Sequence, residues 1–364
     1  MKSEKHLLLW ERMGDYHRAR WKATIRRVGS DACLAADLGT ADGLYEWQGT
    51  EDDPNHFVLV RKPVGELGDL EAFMAFRRLV REQGVSHVAI PGYGRLAYML
   101  MLVWSRLTGR RVTMFAESWY PGRKGMDWAK GLFLRGVTHR CFVSGVLARD
   151  HFVKRLGFPE SAVFAGYSVV DNDHFAAGHA SRKSNSPDFV RDEKGRRILL
   201  CVARFAEEKS LELLVAAFKQ SKLSESWKLV LVGGGPLKDK LAEASVGAPI
   251  ELRDWLDYDS LPDLYASASC FVLPSNFEPW GLVVNEAMAA GLPILLSDAV
   301  GGAPDLLRVG ENGWSFPSGD ESALRTKLDQ LAESPPERLA EMGACSRQII
   351  AGFSVDSWAE KLMS

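Results

Sequence analysis

The chain has 364 residues, 46% hydrophobic and 25% charged, with 33 Gly and 16 Pro. That length allows about two domains of ~150 residues, each able to bury a core of its own, and the composition excludes disorder, collagen and coiled coil. A net charge of −2 argues against a general nucleic-acid binder, and no apolar run approaches the ~20 residues of a bilayer span.

Short apolar runs alternate with helical patterns along the chain. Leu7–Trp10 predicts a first buried strand, followed by a helix from about Tyr16 to Val28. Residues 32–38 and 56–61 read as strands, and 70–83 as a helix closed by Gly84. A strand at 87–90 stops at Pro91-Gly92, a helix runs from 95 to 107, and strands follow at 112–116 and 140–143. The stretch Ala176–Asp188 is small and polar and is the best linker candidate. The alternation then restarts, with strands at 198–203, 228–232, 250–252, 270–273 and 293–296. Helices are expected between them at 211–220, 237–244, 260–267 and 282–290. Such alternation predicts an α/β chain with mostly parallel sheets. Two Rossmann-like domains facing each other across a cleft are expected, at 1–177 and 190–353. A C-terminal helix, 354–364, is expected to cross back to the first.

Charge is uneven. Residues 1–175 carry 25 Lys and Arg against 20 Asp and Glu, and residues 176–364 carry 20 against 27. A basic half joined to an acidic half suggests different partners. The 11 Trp are more than usual. The five Cys are widely spaced with no CxxC or Cys/His pair, which argues against a disulfide framework or a zinc site and suits a reducing cytoplasm. The run 7–10 is too short for the apolar region of a signal peptide.

The most informative segment runs from Pro274 to Pro293, a strand leading through a loop into a helix. Gly281, Leu282 and Val283 form the helix start, whose free N–H groups and dipole make an anion site. Glu278 precedes it and Glu286 lies one turn inside. Carboxylates flanking a phosphate site suit a nucleotide sugar, because they accept hydrogen bonds from vicinal hydroxyls. Glu286 would hold the ribose and Glu278 the sugar ring. Taken singly, each reads first as a solvated carboxylate; the whole run changes that. Trp280, beside Glu278, would shape the donor site.

The Glu278–Glu286 spacing, with Ala-Met-Ala-Ala-Gly-Leu-Pro after it, resembles the retaining GT-B glycosyltransferases of family 4. So do Asp298–Asp305, Glu311-Asn312-Gly313, Val202–Lys209, Val230–Pro236 and Ser168–Phe175. The likeness is specific from about residue 140 onward and weaker before. It implies a GT-B fold, no metal and no cofactor, with the nucleotide sugar as co-substrate. Arg204 follows a strand directly, and Lys209 stands before a helix opened by Ser210, a good N-cap. An Arg fork and a Lys point charge suit a diphosphate, and the resemblance implies that they neutralise the leaving group. Gly234, in the turn Gly233–Gly235, would let the backbone approach the donor. The spacing Asp171-Asn-Asp173 sits at the domain junction, away from a suitable metal site.

The first domain is expected to bind the acceptor through His17, Arg18 and Arg20 after the first strand, and through Glu117 and Ser118. Relatives often have a Gly-Gly loop at the former place and a His near the latter; this chain has neither. Glu117 would orient the acceptor or act as its base, or be a paired structural carboxylate. Cations mixed with aromatics at 10–27 and 119–135 suit an anionic membrane, an acceptor sugar, or solvated faces over a core. The expected activity moves a sugar from a UDP- or GDP-sugar to a hydroxyl of a cell-surface polysaccharide or lipid-linked glycan. It would take place in the cytoplasm, at the inner face of the membrane, with no nucleic-acid partner. A silent nucleotide-sugar-binding subunit and a related sugar-nucleotide epimerase stay open as alternatives.

Overall fold

The structure is a computed structural model and describes residues 4–40, 53–117, 119–120, 124–180 and 192–364. Ser118 and residues 181–188 of the expected linker lie outside the described residues. The chain divides into two units, Met1–Val169 with Val355–Ser364, and Val170–Ser354.

The first unit holds β1 (His6–Trp10), α1 (Asp15–Val28), β2 (Cys33–Asp37), β3 (His56–Val58), α2 (Asp69–Glu82), β4 (His87–Pro91) and α3 (Leu96–Leu107). Next come β5 (Arg111–Ala116), α4 (Lys124–Val137), β6 (Arg140–Val143), α5 (Val146–Asp150) and β7 (Val163–Ala165). All strand pairs are parallel, in the order β3-β2-β1-β4-β5-β6-β7. A sheet covered on both faces needs unbroken apolar strands, and Leu7 to Trp10 are all buried. In α2 the buried positions Ala72, Phe76, Leu79 and Val80 follow helical spacing. Leu9, Phe76, Ile90, Met101 and Met114 belong to the core they build.

Several of the Trp residues are core. The indole N–H of Trp10 donates to the Tyr167 hydroxyl at 3.2 Å, and Trp21 is buried under α1. The last helix of the chain packs with this unit. Its Trp358 is buried against Phe115 and Phe142, with ring centroids 5.8 and 5.5 Å away. Full burial of a large apolar side chain contributes roughly 2–3 kcal/mol.

Arg20, expected to face a ligand, does not. It is 1% exposed, donates twice to the Val169 carbonyl at 3.2 and 2.8 Å, and lies over the Tyr167 ring. A buried guanidinium needs such acceptors, so this residue ties α1 to the end of the unit.

His17 has a local task. Its Nδ1 accepts the Gly14 N–H at 3.2 Å at the start of α1, and its ring stacks on Trp10. Burial, with Arg20 nearby, lowers its pKa to about 3. The unfolded chain takes up a proton near pH 6.5 that the folded chain refuses until about pH 3, so stability falls as pH drops through that window. We expect His17→Gln, which keeps an acceptor, to flatten that fall by about 1 kcal/mol per pH unit between pH 6.5 and 5. Thermal melts at stepped pH check it.

The second unit begins with α6 (Asn172–Ala180). Residues 176–180 were expected in a linker, but their alanines continue this helix. Asp171 caps it by accepting the His174 N–H at 3.2 Å. The unit continues with β8 (Arg197–Val202), α7 (Leu211–Gln220), α8 (Leu223–Ser226), β9 (Trp227–Val232), α9 (Lys238–Ser245), β10 (Ile250–Arg253) and α10 (Leu261–Ala266). Then follow β11 (Cys270–Leu273), α11 (Leu282–Ala289), β12 (Ile294–Ser297), α12 (Ala303–Leu306), β13 (Gly313–Phe316), α13 (Glu321–Ala332) and α14 (Pro336–Ile350). The sheet is again parallel, in the order β10-β9-β8-β11-β12-β13. The terminal α15 spans Val355–Met363.

Ser210 precedes α7 but does not cap it with its side chain. Its backbone is left-handed, with φ 51° and ψ 37°. A Cβ makes that conformation costly by about 1–2 kcal/mol. Ser210→Gly should therefore stabilise the unit by about 1 kcal/mol, raising its midpoint by ~2–4 °C in a thermal melt.

Candidate functional site

In the second sheet every strand points the same way, so the loops after β8, β9, β10, β11 and β12 share one edge. The strand order reverses between β8 and β11. Ligands of open parallel sheets bind outside the strand ends at such a reversal. The loop after β8 carries Arg204 and Lys209, and the loop after β11 carries Glu278. The geometry joins them, because the Lys209 ammonium pairs with the Glu278 carboxylate. Both side chains are largely buried, at 17% and 11% exposure, so Glu278 is not a solvated loop carboxylate. The Glu208 carbonyl ties the two loops further, accepting the Asn276 N–H at 2.9 Å. Arg204 is half-exposed and pairs with Glu208, holding that carboxyl below its usual range.

Behind this pair the helix α11 opens. Gly281 has φ +93°, and a Cβ there would be strained. The N–H groups of Leu282 and Val283 stand in the first turn, where an α-helix has no acceptor of its own to offer. Both residues are half-buried. Trp280 is buried, and its indole N–H donates to Asn285 Oδ1 at 2.8 Å, which braces the helix entrance. The Gly301 and Gly302 N–H groups bind the carbonyls of Glu278 and Trp280 at 2.9 and 3.0 Å. The loop after β11 is thereby fastened to the one after β12.

Glu286 is 1% exposed, so it too is no surface carboxylate. Its Oε2 accepts the Tyr265 hydroxyl at 2.6 Å. Nothing in the spacing of Tyr265 marks it as this partner; packing of α10 against the sheet is needed to see it.

Gly233 allows a close crossing of loops. A Cβ there would stand 1.9 Å from the Ala203 carbonyl oxygen. Gly234 lies against the indole of Trp255, an exposed residue that the sequence did not single out.

The residues expected in the first unit lie near the corresponding edge of its own sheet. His17 opens α1 after β1, Arg18 is half-buried beside it, and Glu117 follows β5. Glu117 is exposed, and its Oε1 accepts the Ser168 hydroxyl at 3.1 Å.

Residues 183–348 match the family model described as glycosyl transferases group 1. The C-terminal part of this chain is thus similar to that family. Relatives that resemble this segment include a sulfoquinovosyl transferase of Arabidopsis thaliana, 39% identical over 142 residues. That alignment covers 38% of this chain and 27% of the relative, so the chain spans about a quarter of that relative's length. A longer match is a GDP-mannose-dependent α-(1-6)-phosphatidylinositol monomannoside mannosyltransferase of Mycobacterium tuberculosis. It is 28% identical and covers 79% of this chain and 77% of that one. Among solved structures, Anabaena HepE in complex with UDP and glucose superposes with a TM-score of 0.73 at 15% identity, covering 99% of this chain and 98% of that one. This likeness shows the fold, a GT-B type built of two Rossmann-like units.

Proposed function

We propose that this chain is a retaining glycosyltransferase that moves a sugar from a nucleoside-diphosphate donor to an acceptor hydroxyl. The observation that carries the reading is the buried Lys209–Glu278 pair at the reversal of the second sheet, beside the α11 entrance. Arg204, Lys209 and the first N–H groups of α11 stabilise the departing diphosphate. Glu278 positions the sugar, and Glu286, fixed by Tyr265, takes the ribose hydroxyls. The exposed Trp255 offers its face to the base. No metal or cofactor is needed, since cations and helix amides meet the phosphate charge.

Transfer proceeds on the face from which the donor leaves. The bond from the anomeric carbon to the phosphate oxygen breaks, and its electron pair goes to the diphosphate. The acceptor oxygen forms the new bond on that same face, and its proton passes to the departing phosphate oxygen. The anomeric configuration is kept. His17, Arg18, Glu117 and Ser118 are read as acceptor-side residues, with Glu117 orienting the hydroxyl. The relatives' names favour a UDP- or GDP-sugar donor and a glycan or lipid-linked acceptor.

No helix among the described residues is long and apolar enough to cross a membrane. On α4, however, Met126, Trp128, Leu132 and Phe133 are exposed. Such a face suits peripheral contact with an anionic bilayer at the cytoplasmic side. The experiment for the activity is NMR of the freshly formed product. Retained anomeric configuration is expected, and inversion would sink the proposed mechanism.

A further inference from the structure

The opposite edge of the first sheet, where its strands begin, holds a second group of ligating side chains. His6 opens β1 and His87 opens β4, and the two are register partners on adjacent parallel strands. Side chains at paired positions stand side by side on one face. Their imidazoles stack with centroids 4.5 Å apart, inclined by 25°. Glu4 lies two residues before His6, so an extended chain returns its carboxylate to the same face. The extension is held in place. The Lys5 N–H donates to Ser86 Oγ at 3.2 Å, and the Lys5 carbonyl accepts the Ser86 and His87 N–H groups at 3.0 Å each. One ligand atom from each of Glu4, His6 and His87 lies within 4.8 Å of the others.

We propose that Glu4, His6 and His87 form a binding site for a divalent first-row transition ion, with zinc the leading candidate. Two imidazoles and a carboxylate are a borderline donor set that suits zinc and nickel and discriminates against magnesium and calcium. Bonds of about 2.0–2.2 Å to zinc need the three atoms to draw together by small side-chain rotations. His87 already has the partner that metal-bound histidines use. Its Nδ1 lies 3.1 Å from Ser86 Oγ, which leaves Nε2 to the metal and fixes the ring. A water would complete four-coordination. Arg111, the register partner of His87 on β5, is exposed beside the site, and the Glu4 carboxylate offsets its charge. Bound metal would pin the chain ahead of β1 to the start of β4. The site lies at the strand starts, away from the strand ends that carry His17 and Glu117, so its role is structural.

The test is calorimetric titration of the intact, chelator-treated protein with Zn²⁺, with Mg²⁺ as the control. One Zn²⁺ per chain is expected, with no heat from Mg²⁺. His87→Gln should weaken Zn²⁺ binding at least tenfold. Glu4→Gln, at an exposed residue that folding does not need, should weaken it severalfold and guards against a misfolded His87 variant. Zn²⁺ affinity equal to the parent's in both variants, or no stoichiometric Zn²⁺ binding by the parent chain, overturns the proposal.

Discussion

Lys209→Ala will lower turnover by roughly 10²–10³-fold, as loss of a transition-state cation contact does. The cause is double. The ammonium no longer meets the diphosphate as charge develops on it, and the Glu278 carboxylate stays behind in a largely buried place with its cation gone. Breaking a buried pair by removing one partner costs several kcal/mol. Stability should therefore fall too, by about 2–4 kcal/mol given the residual exposure. The double variant Lys209→Ala/Glu278→Ala separates the two effects. It should recover much of the lost stability, because no lone charge is left, while turnover stays low. Denaturant melts and single-turnover assays on the parent, the single and the double variants read both quantities. Recovery of turnover in the double variant would assign the pair to folding alone.

Glu286→Ala should weaken nucleotide binding by about 10–100-fold, the equivalent of one hydrogen-bonding contact to a charged group. It also deprives the buried Tyr265 hydroxyl of its 2.6 Å acceptor, which costs about 1–3 kcal/mol of stability. Tyr265→Phe is the companion variant. It removes the brace and leaves the carboxylate, so nucleotide affinity should drop severalfold at most while the fold loses little. Calorimetric titration with UDP and GDP measures both. Equal losses in the two variants would mean that Glu286 serves the fold and touches no ribose.

The site loops of the second unit were legible, whereas its α8, α12, β13, α13 and α14 were not. The strands β9 and β11 are apolar runs bounded by Ser, Gly or Pro, and β11 and α7 fall on the bounds that the apolar pattern predicts. The site lay in the same short loops, because a parallel sheet puts every post-strand loop on one edge. Partners were not legible. That Lys209 meets Glu278, 69 residues away, and that Tyr265 meets Glu286 depends on strand order and helix packing. Spacing holds neither. The left-handed Ser210 was equally hidden, since the residue type suggested a cap and the backbone took another course.

In the first unit the apolar pattern found the central strands but missed α4, α5 and β7. The strand β7 has three residues at the sheet edge, too few for a periodic signal. The helix α4 leaves Met126, Trp128, Leu132 and Phe133 exposed, so its apolar residues read as a binding surface rather than as a helix. Arg20 was misplaced because a guanidinium just after a strand suggests a ligand, whereas here a main-chain carbonyl and a ring take it into the core. The pair His6 and His87 is visible only in the strand register.

The most direct measurement of the central claim is hydrolysis and transfer with a panel of UDP-, GDP- and ADP-sugars, run on the parent chain and on Lys209→Ala. The account predicts slow donor cleavage by the parent chain with at least one sugar nucleotide, and its loss in the variant. Tight nucleotide binding by the parent with no turnover of any donor would contradict it, and would make this chain a nucleotide-sugar-binding subunit.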